Sequence, residues 1–142
     1  MNINSNIYKT KVKDFIPKHV FECGQCFRWT MQDDGKYTGV AGGRAVSVYM
    51  ENEDTLVIEN RTEEDFHSFW HDYFDLGRDY GEIKEAVSKD DIMKEAVRFG
   101  SGIRLLKQDF NEVLISFIIS SNNRIPRIMK SVETLSKLYG EK

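Results

Sequence analysis

What this chain of 142 residues lacks narrows it first. No stretch approaches the ~20 consecutive apolar residues that a bilayer-spanning helix needs. The opening residues, MNINSNIYKTKVKDF, lack the apolar core of a secretory signal. Together these absences lead us to expect an intracellular protein with no membrane partner. The net charge of −3 excludes a chain that is basic throughout. There is no internal repeat, no low-complexity segment, no phosphate-cradling glycine loop and no Ser/His/Asp order that would suggest a hydrolytic triad.

The uneven spread of charge says more than the total. Residues 96–142 hold eight Lys or Arg against four Asp or Glu, an excess of +4, whereas residues 1–95 hold twelve against nineteen, a deficit of −7. A basic C-terminal part beside an acidic N-terminal part fits a localised anion-binding face. Acidic helices that are simply solvated would give the same numbers.

Along the chain, residues 1–18 read as irregular, with Pro17 as punctuation. From His19 the text becomes strand-like. Cys26–Met31, Lys36–Val40, Ala45–Met50 and Thr55–Glu59 are separated by turn signals at Asp33-Asp34-Gly35, Gly42-Gly43 and Asn52–Asp54. Four strands joined by short turns predict an antiparallel meander, with one face wet. After Thr62 the period changes to that of a helix. Thr62 and Asp65 make a capping signature, and Phe66, Phe69, Trp70, Tyr73 and Phe74 form an aromatic face for packing on the sheet. Ile83–Val87 and Ile92–Phe99 read as two short helices, and Gly100-Ser101-Gly102 as a joint. The fold class expected is α+β, an antiparallel sheet with flanking helices, with a first unit at residues 1–100 and a second beginning at 101–142.

The second part centres on GIRLLKQDFNEVLISFIISSNNRIPRI, residues 102–128. Asp109 is placed to cap a helix and Glu112 to reach back to the cap, a capping box. Val113, Leu114, Ile115, Phe117, Ile118 and Ile119 then cover nearly the whole circumference, which predicts a buried central helix. Ser120-Ser121-Asn122-Asn123 breaks it. Pro126 suits the first turn of a second helix, whose Ile125, Ile128, Met129, Val132, Leu135 and Leu138 recur every three or four residues, with Gly140 as the stop. The break holds Asn122, Asn123, Arg124 and Arg127. Amides and guanidiniums are the groups that read base edges and clamp phosphates; an ordinary loop with solvated arginines would look the same.

Cys23-Gly24-Gln25-Cys26 is a C-x-x-C, and His67 and His71 lie on one helical face. These four could form a Cys₂His₂ zinc set, but 40 residues separate the pairs and the second half of a typical finger is missing. No βαβ pattern surrounds the cysteines to support a redox role.

The segment GQCFRW (Gly24–Trp29), then Tyr37-Thr38-Gly39-Val40, Tyr73-Phe74-Asp75-Leu76 and the 102–128 stretch follow the order found in 8-oxoguanine DNA glycosylases. From about Phe15 onward the chain resembles this family, within the helix-hairpin-helix glycosylases. The resemblance implies an N-terminal sheet with flanking helices, similar to a TATA-binding-protein repeat, packed on an all-helical domain of which only the first helices fall within these residues. It implies that Phe27 and Trp29 belong to the sheet core.

It also implies roles. The backbone carbonyl of Gly24 would accept a hydrogen bond from N7–H, which oxidised guanine has and guanine lacks. A buried acceptor left unpaired costs about 1–3 kcal/mol. Asn122 would fill the hole left by the flipped base, Arg127 would bond the orphaned cytosine, and Asn123 would be a substrate-binding residue with them. Arg124, where some relatives carry asparagine, and Lys130 would contact phosphate. The family's nucleophilic lysine and its assisting aspartate would fall after Lys142, so no catalytic residue is expected in this chain and the chain alone is expected to be inactive. The implied enzyme is a bifunctional DNA N-glycosylase and AP lyase. It would be monomeric, without metal or cofactor, and would act on double-stranded DNA containing 8-oxoguanine opposite cytosine, at the bacterial nucleoid or in the nucleus. A non-catalytic damaged-DNA-binding module and an alkylated-base glycosylase are the alternatives.

Overall fold

The structure, a computed structural model, describes residues 6–140. A five-stranded antiparallel sheet has the order β1-β5-β4-β3-β2, formed by β1 (Ile7–Lys11), β2 (Trp29–Met31), β3 (Tyr37–Ala41), β4 (Arg44–Asn52) and β5 (Thr55–Glu59). The four-strand meander expected from the turn signals is present. A fifth strand, β1, lies within the segment expected to be irregular, with Ile7 opposite Glu59 and Lys11 opposite Thr55. Three of the five residues in its IYKTK text are lysine or threonine, as suits an edge strand, where exposed lysines discourage pairing with other chains. Lys9 and Lys11 instead reach Glu51 and Asp54, at 2.5 and 2.7 Å.

His19–Phe21, where the strand-like text is expected to begin, instead belongs to a short helix, α1 (Pro17–Phe21), opened by Pro17 at its first position. Cys26–Arg28, expected to open a strand, is irregular, and β2 begins at Trp29. The sheet is also drier than expected on its outer face. Leu56, Val57 and Ile58 are all fully buried although their side chains alternate in direction. Val57 is flanked by its cross-strand partners Lys9 and Tyr49, whose long side chains have apolar bodies suited to covering it.

The other face carries the core. α2 (Glu63–Asp65) starts with the expected capping box, in which the Thr62 side chain accepts from the Asp65 amide and the Asp65 carboxylate accepts from the Thr62 amide. A π-helical turn (Phe66–Trp70) runs on into α3 (His71–Tyr73). The wider turn aligns Phe66 with Trp70, and the two are buried with Tyr73 and Phe74 against the sheet. Trp29 stacks on Phe21 of α1 (Pro17–Phe21) at 4.1 Å between centroids, and its indole N–H donates to the Tyr73 hydroxyl at 3.0 Å. The same indole lies across Gly39, its cross-strand partner. A Cβ there would come within 2.3 Å of the ring, so glycine is what lets the tryptophan lie flat.

α4 (Tyr80–Val87) and α5 (Asp91–Phe99) follow, capped by Asp79 and Asp90. The chain then runs extended to Asp109 as a strap fastened to the first unit. The strap's Leu105, Leu106 and Lys107 amides donate to the Tyr80 hydroxyl, the Gln25 side chain and the Tyr73 carbonyl, each at 2.9 Å. Arg104 is buried, and its guanidinium donates to the carbonyls of Lys13, Asp75 and Arg78. Desolvation holds its pKa below the usual guanidinium value.

α6 (Phe110–Ser120) and α7 (Ile125–Tyr139) end the described chain, with Gly140 closing α7 as expected. α6 is not the buried central helix its sequence suggests. Only Ser116 is buried on it, while Phe117 is 55% and Ile118 67% exposed. Nothing among the described residues covers that side. Nor does Glu112 complete a capping box. The Asp109 carboxylate accepts from the Asn111 and Glu112 amides, and the Glu112 side chain turns to Arg28 instead. Phe27 is not sheet core either. It packs with Ile128 and Val132 of α7 in a separate small cluster.

Candidate nucleic-acid interface

The six residues Gly24–Trp29 each address a different part of the molecule. Trp29 is locked into the sheet, Phe27 seats α7, and Arg28 meets Glu112 of α6 at 3.4 Å. Burial pushes the Glu112 carboxyl above its ordinary pKa, and the Arg28 guanidinium offsets this only in part. Cys26 is buried with its thiol toward the Phe21 carbonyl, and burial drives its pKa up to about 12, so the thiol stays protonated and inert. Gln25 is fastened by its whole carboxamide. Its Nε2 donates to the Val20 and Arg104 carbonyls, both at 2.8 Å, and its Oε1 accepts from the Leu106 amide at 2.9 Å. Its own carbonyl accepts from Gln108 Nε2 at 2.7 Å.

With the next residue held so firmly, Gly24 takes a left-handed conformation, φ +86°, which disfavours any side chain. The space beside it is open, and among the described residues no N–H or O–H donates to its carbonyl. Gly24 lines a cavity of about 320 Å³ with Phe21, Trp29 and Met31 on one side and Ile125 and Met129 of α7 on the other. The fold thus brings the GQCFRW segment to the first turns of α7, which begin just after the polar break.

At the break the two asparagines differ. Asn123 is used structurally, its Nδ2 donating to the Ile119 carbonyl at 3.1 Å and its Oδ1 accepting from the Arg124 amide at 2.9 Å. Asn122 is exposed and left-handed, φ +50°, a conformation that asparagine tolerates better than most residues. Arg124, Arg127 and Lys130 are exposed and recur every three residues, on one side of the start of α7. That end of the helix carries no acidic residue in its first turn. Cations there oppose the helix dipole, so they do not serve the helix, whereas cations together with free amides do suit an anion.

The cysteines and histidines are not gathered. Among the described residues no three His, Cys, Asp or Glu side chains are placed to share a metal ion. What the sequence reading missed is the fastening behind the loop, namely Gln25, Arg104, Gln108 and the Arg28–Glu112 pair. Polar partners about eighty residues apart leave no periodic trace in a sequence.

The model of the N-terminal domain of 8-oxoguanine DNA glycosylase matches residues 7–114, and the chain belongs to that family. It is 33% identical over 128 residues to the N-glycosylase/DNA lyase OGG1 of Arabidopsis thaliana, covering 83% of this chain and 34% of that protein. Among solved structures it is similar to MBOgg1 in complex with a low-affinity DNA ligand, at TM-score 0.90 and 51% identity, over 98% of this chain and 50% of that one. It is also similar to the Clostridium acetobutylicum 8-oxoguanine glycosylase/lyase in complex with double-stranded DNA containing cytosine opposite 8-oxoG, at TM-score 0.89 and 47% identity, over 96% and 49%. The chain therefore spans about a third of the curated relative and half of the solved ones.

Proposed function

We propose that this chain is the lesion-reading part of a base-excision enzyme that removes 8-oxoguanine paired with cytosine and then cleaves the strand as an AP lyase. The observation that carries the reading is the shared cavity. A left-handed glycine with an unused carbonyl faces the start of a helix whose first turns carry only basic charge. On this reading Gly24 accepts from N7–H of the oxidised base, Asn122 fills the vacated stack with Asn123 bracing the turn, and Arg127 bonds the orphaned cytosine. Arg124 and Lys130 hold phosphate. The protein works at DNA as a monomer, in the nucleoid or the nucleus.

Residues 1–100 then form the α+β unit and 101–142 open the helical one, the strap before Asp109 staying fastened to the first. The bare apolar side of α6 is where the rest of a helical unit would pack. The lysine nucleophile and its aspartate belong to sequence that the longer relatives have room for and these residues do not include. The test is borohydride trapping of the complete gene product on an 8-oxoguanine:cytosine duplex. A covalent adduct is expected. Lesion binding without an adduct would favour the non-catalytic binding module, and tighter binding to alkylated than to oxidised duplexes would overturn the assignment.

A further inference from the structure

We infer that Gln25 is a positioning residue that sets lesion specificity by holding the Gly24 carbonyl in its reading orientation. The inference rests on the assignment of Gly24 above and deepens it. A carbonyl can discriminate a base with N7–H from one without it only if the carbonyl cannot swing away or recruit another donor. Glycine is the residue least able to ensure that by itself, because its backbone has the widest choice of conformations. The rigidity must come from its neighbour.

Gln25 is built for that task. All three hydrogen-bonding directions of its carboxamide that meet the chain end on backbone: Val20 in α1, and Arg104 and Leu106 in the strap. A backbone partner has no rotamer to change. The strap is anchored in turn, by the buried Arg104 guanidinium on the Lys13, Asp75 and Arg78 carbonyls, which places its fixed end deep in the first unit. Gln108 closes the other side by donating to the Gln25 carbonyl. The loop is therefore pinned immediately after Gly24 by four hydrogen bonds, while Gly24 itself is left open on its cavity side. Glutamine is required because the site offers two acceptors and one donor. A glutamate would keep the bond from the Leu106 amide but would face the Val20 and Arg104 carbonyls with nothing to donate.

The test uses the complete gene product and duplexes with 8-oxoguanine, guanine or 8-bromoguanine opposite cytosine, each on a 2′-fluorinated sugar so that the base stays attached. 8-Bromoguanine keeps bulk at C8 but has no hydrogen on N7. Affinities are measured by fluorescence anisotropy, with thermal melting beside them. Gln25→Glu is expected to lower the preference for 8-oxoguanine over both other bases about tenfold while affinity for the guanine duplex stays within about twofold, since only the acceptor's aim is lost. Gln108→Glu, which removes a single bond, is expected to lower the same preference by about threefold. It decides the matter if Gln25→Glu does not melt cooperatively. Preferences that survive in the folded variants, or affinities that fall equally for all three duplexes, would overturn the role of Gln25. A wild-type protein with no preference for 8-oxoguanine would instead overturn the reading of Gly24.

Discussion

The two ends of this chain treat similar side chains in opposite ways. In the sheet unit Trp70, Phe74, Leu56 and Ile58 are wholly removed from water, whereas on α6 Phe117 and Ile118 stand more than half exposed. In its text α6 is the more apolar of the two, with seven apolar residues among its eleven. The difference is that β-strands and aromatic helix faces find partners within residues 6–110. Among the described residues α6 is met chiefly through Ile119, packed on the small cluster of Phe27 with Ile128 and Val132 of α7, and through Glu112, paired with Arg28. Apolar text states a demand for burial, and only the presence of a second surface meets it.

The sharpest way to test that contrast is to truncate one side chain on each side of it. Trp70→Ala is expected to cost about 3–5 kcal/mol in urea unfolding, since it empties a closed core. Ile118→Ala in the same 142 residues should change stability by less than about 0.5 kcal/mol. A large loss at Ile118 would mean that α6 is covered after all. Phe27→Ala attacks the link between the two regions. It should cost about 1.5–3 kcal/mol and loosen α7 first, seen as faster amide exchange at Ile128 and Val132 than in β5.

Functional substitutions at the break should spare stability, because the residues are exposed. Arg127→Ala is expected to lower the preference for cytosine opposite the lesion about tenfold in the complete gene product, with an unchanged melting temperature. Asn122→Gly, which removes the carboxamide but keeps the left-handed backbone, should weaken lesion binding with equally little effect on melting. Arg124→Ala should weaken binding to any sequence and reduce the slope of log affinity against log salt by about one, the mark of one lost phosphate contact. An unchanged slope would remove Arg124 from the interface.

The smallest effect concerns two carboxylates of opposite behaviour. Burial pushes Asp75 upward, but the hydrogen bonds from Arg78 and Tyr80, with the charges of Arg78 and Lys107, outweigh it and hold its pKa below the usual range. Its contribution is therefore fully present above the unfolded-state pKa and is lost as pH falls through the lower folded value. Glu112 is shifted the other way by burial. Its folded state holds the proton more tightly, so its ionisation costs stability at neutral pH, and that cost is relieved as pH falls through its raised pKa. Asp75→Asn should flatten the acid limb of a stability–pH curve, and Glu112→Gln should remove the slight gain above it. Titrating urea midpoints of both variants between pH 3 and 7 checks both signs.

Much of this was legible in the residues alone. Turn signals between alternating strands located β2 to β5 to within a few residues, because hairpin chemistry is local. The Thr62–Asp65 cap and the Pro126 and Gly140 limits of α7 were legible for the same reason, since each depends on neighbours within four positions. The order of GQCFRW and the Asn-Arg break pointed to the family. Strand β1 was not legible, because an edge strand guarded by lysine has polar text and gains its place only by pairing with a strand about fifty residues away.

The tertiary structure alone decided where Phe27 and Glu112 went. Phe27 sits in a segment that reads as a strand, yet it seats α7, and Glu112 sits where a cap residue would turn back, yet it faces Arg28. It also decided that Gln25, an unremarkable polar residue between two cysteines, is bound to backbone on three sides. The sequence determined which local structures form, because propensity, capping and turn chemistry act over a few residues. Which side chains meet across eighty residues, and which apolar surfaces stay bare, was settled by packing, for burial and hydrogen-bond partnership are properties of the assembled fold.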